Sequence, residues 1–169
     1  MMHGSTLQQE MSKPTVMAVD GAVRIELATA RDRSVVRRIE CECFGLARFV
    51  FGLWPRTGRG DTLTWIATTG DRVAGYLIAY QKELDDRPVM YVGGVGVSRH
   101  YRQHGIGKQL MKAVLAEHDS LWLHVRAQNV AAINLYHRLG MCQLRRLEQF
   151  YSNGDDAIVM ATRNLVPDI

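Results

Sequence analysis

The stretch Val95-Gly96-Val97-Ser98-Arg99-His100-Tyr101-Arg102-Gln103-His104-Gly105-Ile106-Gly107-Lys108 constrains the fold more than any other. An apolar, β-branched run, Val89 to Val97, ends where it begins. Glycines 105 and 107 follow, and an amphipathic segment with Ile106, Leu110, Val114 and Leu115 on one face opens there. This order reads as strand, glycine turn, helix. Such a turn aims backbone N–H groups at one spot, backed by the positive end of the helix macrodipole. Arg99, Arg102 and Lys108 add positive charge around it. The combination suits a pyrophosphate, although a short glycine turn before a helix also serves as plain punctuation. Gln109 follows Lys108, so the Ser/Thr ending of a Walker loop is missing, and the turn is too short for a dinucleotide fingerprint.

An anionic ligand agrees with a formal net charge of +4, which comes without any Lys/Arg run of the kind that marks a nucleic-acid tail. No specific nucleic-acid binding is expected. Cys41, Cys43 and Cys142 are odd in number and lack metal-ligand spacing, so neither a zinc site nor a disulfide framework is expected. They read as reduced thiols of a cytoplasmic protein without a metal. No apolar run reaches the roughly 18 residues of a membrane span, and no secretory leader pattern opens the chain.

At 169 residues, one domain is expected. Residues 1–22 are polar and aperiodic and read as a flexible extension, leaving a domain over 23–165. Val23–Leu27 alternates as a strand, and Asp32 can cap the helix whose stripe is Val35, Val36, Ile39 and Cys43. Leu46 to Trp54 reads as a second short helix or loop on the core, or as one wall of a substrate groove. Thr62–Thr68 and Arg72–Tyr80 form a hairpin, Lys82–Pro88 a charged loop, and Val89–Val97 a strand whose three glycines suggest a bulge. After the helix from Gly105 come a strand at Leu121–Val125, a helix capped by Asn129 and ended by Gly140, and strands around Met141–Phe150 and Asp156–Ala161. The order is that of a mixed α/β layer fold.

Arg102-x-x-Gly105-x-Gly107 after a hydrophobic strand resembles the acetyl-coenzyme A signature of the GCN5-related N-acetyltransferases, the GNAT superfamily. Leu121–Met141, together with Phe150-Tyr151 and Gly154-Asp155-Asp156-Ala157, resembles the protein N-terminal acetyltransferase branch, which includes the RimI-like ribosomal-protein enzymes. The resemblance covers about Val23 to Leu165. It implies a central sheet of about seven strands and about four helices, splayed where acetyl-CoA binds. Val95, Gly96, Val97, Arg102, Gln103, His104, Gly105, Ile106, Gly107, Lys108, Asn129 and Tyr136 are the implied acetyl-CoA contacts. Backbone N–H of Val95 or Val97 would face the thioester oxygen. Phe44, Gly45, Leu46, Tyr91, Phe150 and Tyr151 are the implied substrate contacts. The position of His124 usually holds a glutamate in RimI-like members. The catalytic subunit of the N-terminal acetyltransferase E complex has histidine there, paired with a tyrosine at the position of Tyr91. Gly45 departs from the proline common in these enzymes, which leaves the peptide preference open.

The chemistry of these residues agrees with the resemblance. Near pH 7.4 roughly a fifth to a third of peptide α-amines are already neutral, against about one lysine in a thousand. A histidine of ordinary pKa, about 6.5, can take the remaining proton directly or through water. His124 also fits a strand-edge histidine bonded to a carbonyl, Tyr136 a core tyrosine rather than a proton donor to the departing thiolate, and Asn129 a helix cap rather than a pantetheine contact. An N-terminal protein or peptide amine is therefore the expected acceptor, with a ribosome or partner protein as further contacts. Lysine side chains, small amines and a non-catalytic acetyl-CoA-binding subunit are the alternatives. Oligomeric state is not legible.

Overall fold

The computed structural model describes residues 17–19, 23–45, 62–84 and 87–166. Eight strands form one sheet: β1 (Met17–Val19), β2 (Val23–Leu27), β3 (Thr62–Thr69), β4 (Arg72–Leu84), β5 (Arg87–Val97), β6 (Leu121–Arg126), β7 (Met141–Leu147) and β8 (Ala157–Thr162). Their spatial order is β1-β2-β3-β4-β5-β6-β8-β7. Every pairing is antiparallel except β5 with β6. Three α-helices lie among the described residues: α1 (Arg33–Phe44), α2 (Ile106–Glu117) and α3 (Val130–Arg138). The expected mixed α/β sheet is present, with one strand more than expected. That strand, β1, falls inside the stretch read as an extension. It joins by backbone pairing, Met17 opposite Ile25 and Val19 opposite Val23, and three residues are too few to show a period. The rest of that extension and the Leu46–Trp54 segment lie outside the described residues.

The sheet separates two cores. On one face α2 buries Leu110, Met111 and Val114 against Trp65, Leu77, Ala79, Val92, Leu121 and Leu123. Each buried Leu, Met or Val among them contributes about 1.5–3 kcal/mol of transfer free energy. On the other face α1 sets Val36 and Ile39 on Ile66, Tyr76 and Ile78. Asp32 does not cap α1 as expected. Its carboxylate accepts from the Thr29 N–H at 2.7 Å and the Thr29 hydroxyl at 2.8 Å, closing the short turn before the helix. Asn129 does cap α3, its Oδ1 accepting from the Ala132 N–H at 3.2 Å.

Two expected boundaries shift. Lys82 to Pro88 is not a loop, since β4 and β5 run on as a hairpin that pairs Lys82 with Val89 and Leu84 with Arg87. Leu84 and Val89 are buried there with Trp122, Val159 and Ala161, and this burial outweighs the charge of the intervening residues. Strand β7 stops at Leu147, short of Phe150, and a loop carries the chain to β8.

The feature that positions the site is a parting of β5 from β6. They pair only at Met90–Leu121, Tyr91–Trp122 and Val92–Leu123. On the β4 side, Ala79 pairs with Val92 and Ile78 with Gly94, so Gly93 is an extra, bulged residue. Beyond the bulge β5 and β6 no longer pair. Among the described residues no helix is long and apolar enough to cross a membrane, and no group of three His, Cys, Asp or Glu could hold a metal ion.

Candidate active site

A cleft of about 890 Å³ opens where β5 and β6 part. Val95, Gly96, Val97, Arg102, Gln103, Gly105, Ile106, Gly107 and Lys108 line one side. Leu123, His124, Val125, Asn129 and Tyr136 line the other. The two glycines of the turn have different reasons. Gly105 has φ +74°, a left-handed conformation that a side chain strains, and it caps α2. At Gly107 a Cβ meets only Leu135 and Val97 atoms, both at 3.8 Å, which is ordinary contact. The protein itself therefore tolerates a side chain at 107, and the open space in front of it is the cleft. A pyrophosphate-bearing ligand fits there, at the α2 N-terminus and beside Lys108. Gly96 is different again, because a Cβ would stand 2.5 Å from the Tyr76 ring.

The last turn of α1 holds this loop, a contact that local patterns in the sequence do not show. The Glu42 carboxylate accepts from the Ser98 hydroxyl at 3.2 Å and from the Arg99 N–H. The Arg99 N–H is the main reason its pKa is lowered. Arg102 Nε donates to the Val97 carbonyl at 3.0 Å, and its guanidinium reaches Cys43 Sγ at 3.6 Å. The next residue, Phe44, lines the cleft. His104 turns away from it: the imidazole Nδ1–H donates to the Arg102 carbonyl at 2.7 Å and the ring does not line the cleft.

At the point of parting, Tyr91 and His124 meet. The Tyr91 hydroxyl lies 2.9 Å from His124 Nδ1. Tyr91 on β5 pairs with Trp122 on β6, and His124 is two residues further along, so the three rings share one face of the sheet. The Tyr91–Trp122 ring centroids are 4.7 Å apart. Phe150 stacks on His124 at 4.4 Å and 22°. Burial lowers the His124 pKa from 6.5 to about 4, with the positive charges of Lys82 and Arg145 adding to it. His124 is thus neutral throughout the physiological range, and a weaker base than its residue type alone suggests. Tyr136 enters the cleft from α3, which packs on the opposite face with α2. The cleft therefore passes through the sheet, with the Tyr91–His124 pair on one side and the Tyr136 phenol on the other.

Phe150 and Tyr151 are held from below by a network that the turn sequence Asn153-Gly154-Asp155 only hints at. Arg126 forms an ion pair with Asp155, donates to Asn153 Oδ1 at 3.1 Å, and lies 4.1 Å above the Tyr151 ring. Gln128 adds a 3.0 Å bond to Asp155. Tyr151 lines the cleft, and Phe150 and Tyr91 reach it through His124. Gly45, φ +73°, ends α1 behind Phe44 and does not line the cleft, and Leu46 lies outside the described residues.

This geometry has relatives. An N-alpha-acetyltransferase of Sulfurisphaera tokodaii is 35% identical over 77 residues, 42% of this chain and 46% of that protein. The ribosomal protein bS18-alanine N-acetyltransferase of Salmonella typhimurium is 32% identical over 102 residues, 56% of this chain and 66% of that protein. The chain thus spans less than half the length of the first relative and about two thirds of the second. The crystal structure of Arabidopsis thaliana NAA60 in complex with acetyl-CoA superposes with a TM-score of 0.72 at 22% identity, over 82% of this chain and 98% of that one. At that identity the likeness is one of fold. Residues 29–141, more than half of the chain, match the acetyltransferase (GNAT) family, whose fold the parted sheet reproduces, and the chain belongs to that family.

Proposed function

We propose that the chain is an acetyl-CoA-dependent N-acetyltransferase that acetylates the α-amine of a protein or peptide N-terminus, its catalytic domain running from 23 to 165. The observation that carries this reading is the 2.9 Å contact between Tyr91 and His124 at the mouth of the parted strands. Relatives named for N-terminal acetylation support the choice of amine. The loop from Arg102 to Lys108 and the α2 N-terminus hold the pyrophosphate, and Val95 to Val97 run along the pantetheine arm. Asn129 shapes the far wall as the α3 cap.

The amine approaches from the Tyr91–His124 face. Its nitrogen attacks the thioester carbonyl, the C–N bond forms, and the C–S bond breaks. With a pKa of about 4, His124 does not strip a proton from a resting ammonium. It takes one when the attacking nitrogen becomes acidic. If Nδ1–H donates to the Tyr91 oxygen, Nε2 is the open lone pair. If Tyr91 donates to Nδ1, the phenol oxygen accepts while passing its own proton to the ring. Either way the pair presents one acceptor. Tyr136, on the other side, donates to the departing thiolate. This division of labour suits an amine already partly neutral near pH 7, which an N-terminus is and a lysine is not.

The test is acetyl-CoA turnover on short peptides, each offered with a free α-amine and again with that amine blocked and a lysine free. Turnover confined to free N-termini supports the reading. Turnover that survives the block moves the activity to lysine, and acetyl-CoA binding without any turnover removes it.

A further inference from the structure

Two cations flank the acid–base pair, and the proposed reaction uses neither. They can be placed by register. Tyr80 pairs with Tyr91, and Lys82, two residues on, shares its face. Lys82 Nζ stands 4.8 Å from the Tyr91 ring centroid and 5.0 Å from that of Trp122. On the other side, His124 pairs with Val159, and Val159 with Arg145. Directly opposed residues project to the same face, so Arg145 lies in line with His124, two strands away, at roughly 10 Å. Both side chains are exposed. Neither forms an ion pair among the described residues. In the β7–β8 loop, Asp155 pairs with Arg126 and Asp156 with Arg146. Glu83 alternates to the opposite face of β4.

An amine delivered to Tyr91 and His124 sits between these cations. A peptide leaving across this face toward β4 passes Lys82, and one leaving toward β7 passes Arg145. At about 3.3 Å per extended residue, either cation is met within about three residues of the amine. We propose that Lys82 and Arg145 are specificity-determining residues that select peptides with an acidic side chain at position two or three and reject those with a basic one. This inference rests on the proposed N-terminal acetylation and names its substrate class. The same positive field acts on His124, whose neutral state it reinforces.

The experiment compares peptides with Asp or Glu, Ser, or Lys at positions two and three. It measures kcat/KM and, by fluorescence anisotropy with CoA-saturated protein, binding. The wild type is expected to favour acidic over basic peptides by roughly tenfold, mostly through KM, with the ratio shrinking in high salt. Lys82→Met and Arg145→Met each narrow the ratio by up to about fivefold, Lys82→Arg preserves it, and Lys82→Glu reverses its sign. A reversal follows charge and not fold. Turnover without any charge preference, or a preference untouched in the double Met variant, overturns the selector and leaves the acetylation reading standing. Charge-dependent binding without turnover leaves the selector standing and overturns the acetylation reading. No binding of any peptide overturns both.

Discussion

The lowered pKa of His124 has a kinetic signature. The profile of kcat/KM against pH reports groups on the free enzyme and free peptide. In the proposed reaction two ionisations compete on its acid side, the α-amine at about 8 and His124. With His124 at about 4, more than nine tenths of it is neutral even at pH 6. Between pH 6.0 and 7.4 the rate then follows the amine alone, whose neutral fraction grows about 20-fold. A histidine left near 6.5 gains a further factor of about 3.7 over the same interval, making the rise about 75-fold. The slope of the logarithm separates the cases more clearly. It stays at one from pH 7 down to about 5 if burial holds His124 neutral, and steepens toward two below 6.5 if it does not. Chromatography of the acetylated peptide measures this without a thiol reagent, whose response changes with pH. A slope near two between pH 5 and 6.5 refutes the burial argument, because it places the protonated imidazole in the range where the structure excludes it.

Tyr136→Phe removes the proposed proton donor from the opposite side of the sheet, and kcat is expected to fall about 10²-fold while acetyl-CoA affinity, measured by calorimetry, stays within about threefold. Gly96→Ala drives a Cβ to 2.5 Å from the Tyr76 ring, so thermal unfolding should show a loss of about 1–3 kcal/mol. Gly107→Ala, with its nearest contacts at 3.8 Å, should keep the melting temperature and weaken acetyl-CoA binding instead. Glu42→Gln leaves the Ser98–Arg99 loop with weaker acceptors at the α1 terminus, and a roughly three- to tenfold loss of acetyl-CoA affinity is expected by calorimetry.

What the chain states locally was legible, and what it assembles across strands was not. The Gly105–Gly107 turn, the α2 stripe of Ile106, Leu110 and Val114, and the Asn129 cap each lie within a dozen contiguous residues, where period and cap chemistry decide. The identities of Tyr91 and His124 came from motif, and their meeting at 2.9 Å depends on the short β5–β6 ladder that brings their strands together. The hairpin through Lys82 reads as a loop in the sequence because its charges mask the burial of Leu84 and Val89. The same charges hide that Lys82 stands beside the Tyr91 and Trp122 rings. The Glu42 clasp joins α1 to a loop 56 residues away, a contact that no local pattern encodes.

The protonation of His124 follows the same division. Residue type sets an imidazole near 6.5, and four structural neighbours move it: the enclosing rings of Trp122 on β6 and Phe150 on the β7–β8 loop, Lys82 on β4, and Arg145 on β7. Each arrives from a different strand or loop. Substituting one cation therefore shifts the pKa only in part, because burial, the largest cause, remains. A variant that exposes His124 should act more strongly. Phe150→Ala removes the stacked ring, reopens the imidazole to water, and raises its pKa by more than Lys82→Met does. If the order were reversed, charge and not burial would govern His124, and the proposed selector would then also set the protonation of the Tyr91–His124 pair.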